Sequence, residues 1–388
     1  MKLSVVAFEA SAAGEVKEQA ADCLLQLDAF LSDASLDYRN IISINFFLSA
    51  ENQEAYKKQT RAVEDCLSPE MRSGIPVAYL AQAPANGALV SAEIHYLPQL
   101  RDSEIQVKRA KGYPYLVVGR KNGEKLVVAN GIGQNNGDHN ITENAEKVFG
   151  IMEKILHAEG MDFGHIFRQW NYIEDITVVE SDRQSSQHYQ EFNNVRSEYY
   201  SRSAFSQGYP AATGIGIRAG GVIVSFLAAS SEGIRAIAIE NPLQRAAFDY
   251  TDRVLVGNAE FRGSSKCTPK FARAKLLENK ESDQVFISGT ASIREENTIG
   301  VDDVAKQTVI TLENMQQLIC AETLSSIQRS DRRLPSIEFI RVYVKYPEHH
   351  QIVKEICEER LPGVPGIYVV SDVCRENLLV EIEALASS

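Results

Sequence analysis

Most of the residues that build special-purpose sites are scarce in this chain. Its six cysteines, Cys23, Cys66, Cys267, Cys320, Cys357 and Cys374, fall at irregular spacings with no Cys-x-x-Cys and no paired histidine ligands. No zinc or other metal site is expected, and every cysteine except Cys374 reads as a buried free thiol. No apolar run approaches the roughly 20 residues that cross a bilayer, so no membrane span is expected. The opening stretch Met1–Glu9 turns acidic too soon for a signal peptide, which puts the expected location in the cytoplasm. Neither Gly-x-x-x-x-Gly-Lys nor Gly-x-Gly-x-x-Gly accompanies the run Ser288-Gly289-Thr290, so nucleotide binding is not supported. Clustered positive charge is missing too: the net charge is −12, spread along the chain. That opposes nucleic-acid binding. A small anionic substrate would need local arginines to invert the field inside one pocket.

What is present is a repeat. With 44% hydrophobic residues and 388 positions, the chain can form two or three domains of ordinary size. The order helix, strand, helix, proline, strand occurs three times. The first copy runs from Glu18-Gln19-Ala20 through Leu31 to the strand Ile41–Leu48. A helix around Tyr56–Leu67, Gly74-Ile75-Pro76 and the strand Leu89–Ile94 complete it. The second uses Glu143-Asn144-Ala145, Trp170-Asn171-Tyr172, Tyr209-Pro210-Ala211 and Gly221–Ala228. The third uses Lys306-Gln307-Thr308, Phe339–Val344, Val364-Pro365-Gly366 and Leu379–Glu383. From Gln19 to Pro76 is 57 residues, from Asn144 to Pro210 is 66, and from Gln307 to Pro365 is 58. A repeat of this length dictates architecture before any motif is considered.

The helices carry apolar residues at i, i+3, i+4, such as Val148, Phe149, Met152, Ile155 and Leu156, a stripe suited to packing on a sheet. Asn122-Gly123 between Leu116–Gly119 and Lys125–Ala129 predicts a hairpin. A matching hairpin is expected between Arg273–Leu277 and Gln284–Gly289, while the first copy offers only Leu3–Phe8 there. Residues 1–100 therefore read as a truncated unit, 110–240 as a second and 255–388 as a third. Asp252–Lys270 and Thr323–Pro335 read as polar insertions, the latter an exposed loop.

This unit resembles the RidA/YjgF superfamily, most clearly in Phe286-Ile287-Ser288-Gly289-Thr290 and Val380-Glu381-Ile382-Glu383-Ala384. The resemblance implies an α+β, chorismate-mutase-like fold. Three units in one chain imply an intramolecular pseudo-trimer, expected as a monomer with helices outside and sheets facing inward. A narrower set of blocks lies in order over about residues 110–388: Arg168–Ile176, Tyr189–Arg196, Tyr209–Gly216, Asn241-Pro242-Leu243-Gln244, Phe271-Ala272-Arg273-Ala274, Ser288–Ile293 and Val373–Glu383. These resemble the chorismatase family, also labelled pteridine-dependent deoxygenase-like. Each block is weak alone; together they are fairly specific.

The resemblance implies an enzyme that cleaves the enolpyruvyl ether of chorismate without metal or organic cofactor. It would release pyruvate and a dihydroxycyclohexadiene carboxylate or a hydroxybenzoate. It implies Glu381 as acid, Arg273 and Arg375 as carboxylate partners, Gly289 as substrate-binding, and Cys374 as a pocket wall of the hydroxybenzoate-forming branch. The chemistry is consistent with this: an apolar strand can keep a carboxyl protonated, and two guanidinium forks can orient two carboxylates. Two family elements differ. Val256-Gly257-Asn258 stands where a Tyr-Gly-Pro run is usual, and Glu295-Glu296-Asn297-Thr298 where Gly-His-Glu-Thr is usual.

Several residues have plainer readings. Glu93 reads as the first copy's counterpart of Glu381. Trp170 and Tyr172 read as core between units. Asn193 and Arg196, on one helical face, fit structural bonding or substrate contact equally. His188 reads as surface and His349-His350 as a loop pair. A non-catalytic ligand-binding protein remains an alternative. Enamine/imine deaminase activity is disfavoured, because none of the three proline sites is followed by the arginine it needs.

Overall fold

The computed structural model describes all residues except 1, 12, 101–102, 121–122, 135–139, 180–185, 231–233, 257–265, 279–282 and 328–332. Three sheets follow one another along the chain. The first contains β1 (Ser4–Glu9), β2 (Ile41–Leu48), β3 (Val77–Leu80) and β4 (Val90–Tyr96), in the order β1-β4-β2-β3. The second contains β5 (Ser103–Ala110), β6 (Tyr113–Arg120), β7 (Lys125–Ile132), β8 (Ile166–Glu174), β9 (Ala211–Ile217) and β10 (Val222–Ser230), in the order β5-β6-β7-β10-β8-β9. The third begins with β11 (Arg235–Ile239), β12 (Ala274–Glu278) and β13 (Asp283–Ala291). A small ribbon of β14 (Ile293–Arg294) and β15 (Asn297–Thr298) follows, then β16 (Ser336–Val344), β17 (Gly366–Val370) and β18 (Val380–Ser387). Its order is β11-β12-β13-β18-β16-β17. In all three, the closing strand pairs antiparallel with the strand after the first helix, and that strand pairs parallel with the one after the proline. Residues 1–100 thus share the fold of residues 273–388, less the hairpin. Two strands depart from the expected spans: β5 starts the second sheet at Ser103, ahead of residue 110, and β11, inside the span read as the second unit, joins the third sheet because it pairs with β12.

The eight helices are α1 (Val16–Asp33), α2 (Gln53–Glu64), α3 (Pro69–Gly74), α4 (Ile141–Ala158), α5 (His188–Tyr200), α6 (Val304–Leu318), α7 (Ala321–Ser326) and α8 (His350–Arg360), counted among the described residues. Local chemistry starts them. The side chains of Asn140 and Asp303 accept from Glu143 N–H and Lys306 N–H, and a Glu15/Glu18 capping box opens α1. Gln19 and Gln307, equivalent in sequence, also do equivalent work. Gln19 Oε1 accepts from Leu89 N–H at 2.7 Å and Gln307 Oε1 from Leu379 N–H at 2.8 Å, each tying a helix to the start of its closing strand.

Helices cover the outer sheet faces and the inner faces meet. One apolar cluster joins Phe47 and Ile94 of the first unit, Trp170 and Tyr172 of the second, and Phe286 and Tyr343 of the third. Separate clusters lie under α4 and α5 and under α6 and α8. Strands covered on both faces need continuous apolar runs, which is why every residue of Ile41–Leu48 is buried. Trp170 and Tyr172 fill the core as expected. Other readings change. His188 is buried, its Nδ1 2.9 Å from Glu174 O, because it opens α5 against the sheet. Thr323 and Leu324, expected in an exposed loop, are buried in α7 because Leu324 completes the third unit's core. His350 begins α8 rather than lying in a loop.

The centre also holds charge. Arg341 Nε donates to Glu93 Oε2 at 2.7 Å, and its Nη1 donates to Tyr172 Oη at 2.8 Å. Glu383 accepts from Trp170 Nε1 at 2.7 Å and pairs with Arg168 Nη2 at 2.8 Å. His95 Nε2 lies 2.8 Å from Glu93 Oε1. All three units contribute. Burial alone would raise the Glu93 pKa, but Arg341 and His95 hold it well below the usual carboxylate range.

Strand register corrects one equivalence. Ile44 N–H bonds Pro76 O and Ile340 N–H bonds Pro365 O, so Asn45 corresponds to Arg341. Their cross-strand partners are Glu93 and Glu383. Glu93 is therefore the counterpart of Glu383, and Ser91 that of Glu381. Replacing Glu93 by Ala leaves the fully buried Arg341 short of a partner and is expected to destabilise the fold by ~3–5 kcal/mol, read as a lowered denaturant midpoint with unchanged slope.

Candidate active site

A cavity of about 530 Å³ opens between the second and third units. Its walls come from α5, β9, the segment around Tyr250–Val256, β13, β18 and the turn before β18. Arg273, Gly289, Cys374, Arg375, Glu381 and Asn193 all line it, so six of the seven residues singled out in the sequence converge. Arg196 does not. It lies behind Asn193, donating from Nη2 to Asn193 Oδ1 and resting over the Phe192 ring at 5.5 Å.

Glu381 points inward because β18 alternates. Val380 and Ile382 face the helices of the third unit, while Glu381 and Glu383 face the second unit. The carboxyl fits only because residue 289 is glycine: a Cβ there would lie 2.0 Å from Glu381 Oε1. Burial, reinforced by the nearby Glu383 charge, pushes Glu381 up to about 8, and Arg168 and Arg273 oppose this only in part. The carboxyl is thereby biased toward its neutral form while facing the cavity. Among the described residues its carboxyl has no hydrogen-bond partner.

The two arginines flank one aromatic ring. Arg273 Nη2 donates to Arg245 O and to Tyr250 Oη, both at 2.7 Å, and its buried Nε has no partner among the described residues. Arg375 Nη1 donates to Glu296 O at 2.8 Å. Their guanidinium carbons stand 5.6 and 5.2 Å from the centre of the Tyr250 ring. Sequence reading missed Tyr250: it belongs to no recurring block, and only its place between two candidate arginines distinguishes it. The segment from Asp252, read as a polar insertion, is part of the wall through Val254, Leu255, Val256 and Pro269. Gly257 to Phe261, where the family pattern has Tyr-Gly-Pro, lie outside the described residues. Glu296, Asn297 and Thr298, where Gly-His-Glu-Thr is usual, line the rim. Glu296 there accepts from Thr251 Oγ1 at 2.8 Å and pairs with Arg253 and Arg245.

Cys374 is a neutral wall. Burial and the neighbouring Glu381 push its thiol up to about 12, with Arg375 too weak to reverse them. Of the other cysteines, Cys23 and Cys357 are buried as expected, whereas Cys66, Cys267 and Cys320 are half-buried. Among the described residues no group of three or more His, Cys, Asp or Glu side chains could hold a metal, and no helix is long and apolar enough to cross a membrane. A thiol at about 12 carries ~10³-fold less thiolate than one near 9. Cys374 is therefore expected to resist iodoacetamide at pH 8 in the folded protein and to react once the chain is unfolded in denaturant, as peptide mass spectrometry after timed labelling would show.

Comparison with known proteins gives a consistent picture. The family model "Chorismatase FkbO/Hyg5-like, N-terminal" matches residues 105–228. A 3-hydroxybenzoate synthase of Streptomyces hygroscopicus is 35% identical over 252 residues, covering 63% of this chain and 69% of that protein. A chorismatase of the same organism is 34% identical over 224 residues, covering 57% of this chain and 61% of that protein. A crystal structure of a chorismatase superposes with a TM-score of 0.72 over 99% of this chain and 98% of that one, at 21% identity, and so shares the fold.

Proposed function

We infer the reaction from one premise: this chain belongs to the chorismatase family. The reading is an enzyme that converts chorismate, cleaving its enolpyruvyl ether to pyruvate and a hydroxybenzoate. The observation that carries it is the neutral carboxyl of Glu381 in the same cavity as the guanidinium groups of Arg273 and Arg375. The substrate has two carboxylates and an acid-labile enol ether, and the cavity offers two cations and one held proton.

The chemistry follows from these groups. Arg273 and Arg375 take the carboxylates as charge-assisted pairs, and the unpartnered Arg273 Nε supplies a buried donor for one of them. Glu381 gives its proton to the methylene carbon of the enolpyruvyl group. The bond from ring carbon to ether oxygen then breaks, its electron pair staying on oxygen to complete pyruvate. The ring cation loses a proton to the Glu381 carboxylate and becomes aromatic. Atoms balance without water or a co-reactant, and the acid is regenerated. A dihydroxycyclohexadiene product would instead require one water per turnover. The uncharged Cys374 thiol is a weakly polar wall that offers water little purchase.

Two measurements test this reading. Incubation with chorismate is expected to release pyruvate, and Glu381→Gln to lower kcat by roughly 10²–10⁴. Because the working form is the protonated one, kcat should hold through neutral pH and fall as pH rises through about 8. A Glu381→Gln variant with full turnover would move the acid elsewhere; no pyruvate from the wild type would favour a ligand-binding protein. Chromatography of the same mixture is expected to show a hydroxybenzoate as main product. A non-aromatic diol would reject that branch.

A further inference from the structure

The side chain of Thr213, on β9 of the second unit, touches neither arginine of the cavity pair, yet it joins the central charge network to the acid. Its Oγ1 donates to Glu383 Oε2 at 2.6 Å, accepts from Arg168 Nη2 at 2.8 Å and accepts from Gly289 N–H at 3.0 Å. A hydroxyl has one proton and two lone pairs, so all three are used. Two of the partners are donors only, which forces the hydroxyl proton onto Glu383. Tyr343 Oη and Trp170 Nε1 also reach Glu383, at 3.1 and 2.7 Å. Surrounded by donors and paired with Arg168, Glu383 is held as a carboxylate.

Gly289 is free to reach Thr213 because β13 is irregular there. The register with β18 shifts between Ile287 and Thr290, and the shift turns the Gly289 N–H out of the ladder toward the neighbouring unit. The Glu381 carboxyl lies against the Cα of Gly289 with the Thr213 methyl beside it: a Cβ at residue 289 would sit 2.0 Å from Glu381 Oε1 and 3.0 Å from Thr213 Cγ2. One hydroxyl therefore fixes both the slot that receives Glu381 and the anion two residues along the same strand.

We propose that Thr213 is a positioning residue for the acid: through Gly289 and Glu383 it holds Glu381 in its closed slot beside a fixed negative charge. This inference rests on the reading of Glu381 as the proton donor. The groups facing Glu381 are Glu383 on its own strand, Arg168 from β8, Arg273 ahead of β12, Cys374 from the turn before β18, and Tyr189 from α5. Glu383 favours the neutral acid, and Arg168 and Arg273 favour its anion. Glu383 keeps its charge through Arg168, Arg341, Tyr343 and Trp170, but removing the hydroxyl frees the Gly289 N–H and loosens the slot. A less enclosed Glu381 carboxyl favours its anion, which lowers the pH at which the acid is lost.

The test compares Thr213→Val and Thr213→Ala, which lack the hydroxyl, with Thr213→Ser, which keeps it. In Thr213→Val the basic limb of the kcat–pH profile is expected to move down by about one unit, a tenfold change in proton occupancy. Thr213→Ser should restore the wild-type limb. A role in folding alone would lower stability without moving the limb. Thr213→Ala serves the same purpose should the valine variant not fold. The second readout needs no turnover: the infrared carboxyl band that Glu381→Gln abolishes, titrated against pH in the substrate-free protein. If that band titrates identically in wild type, Thr213→Val and Thr213→Ala, the proposal is overturned. If the wild type releases no pyruvate, the proposed reaction fails while the band still decides the coupling.

Discussion

Four ionised side chains at the meeting point of the three sheets govern much of the structure: Glu93, Arg168, Arg341 and Glu383. Taking each from water costs several kcal/mol, and attraction offsets that only when geometry is good and the remaining donors and acceptors are satisfied. Arg341 and Glu383 of the third unit stand 3.4 Å apart, but the shorter contacts cross between units. Arg341 of the third unit reaches Glu93 of the first, and Arg168 of the second reaches Glu383 of the third. Tyr172, Trp170, Asn45 and His95 fill the remaining bonds. Wrong placement of any unit leaves a buried charge exposed to its neighbour's apolar face. The apolar inner faces drive association, and the charges specify the arrangement.

The same network sets the chemistry of the cavity. Glu381 and Glu383 share a strand face two residues apart, yet their environments push them in opposite directions, Glu381 toward its neutral form and Glu383 toward its anion. Donors account for the difference: Glu383 is met by an arginine, a hydroxyl, a phenol and an indole, while the Glu381 carboxyl lies against the Gly289 Cα and, among the described residues, takes no hydrogen bond. Two carboxyls in contrasting environments are the usual route to an acid that works at neutral pH. The interunit core and the candidate site are parts of one electrostatic system.

The pseudo-threefold arrangement also explains why the candidate groups gather at the third unit. The counterpart of Glu381 in the first unit is Ser91, and the first sheet lacks the hairpin that carries Gly289 and follows Arg273 in the third. Glu93 resembles a catalytic glutamate only in sequence. The first unit supplies a wall of the core and a partner for Arg341, and the second supplies Asn193, Tyr189 and Thr213 to the site of the third.

Much was legible from sequence because repetition and periodicity are local properties. The three helix–strand–helix–strand copies, the antiparallel pairing of β6 with β7 and the inward core role of Trp170 and Tyr172 follow from spacing alone, and six of the seven site residues that the family resemblance or a shared helical face singled out meet in one cavity. What tertiary structure decided was register and convergence. A shift of two residues along a closing strand separates Glu93 from the acid and matches it to Glu383, and only pairing with the neighbouring strands reveals it. Tyr250 gains meaning from two arginines, one of them 125 positions away in the chain. His188 and Leu324 are buried by neighbours their local sequence does not announce. Thr213 is an ordinary strand residue until a bulge in another unit turns a glycine N–H toward it. Sequence carries the pattern of each element, but which charges end in contact depends on how separately folded faces meet.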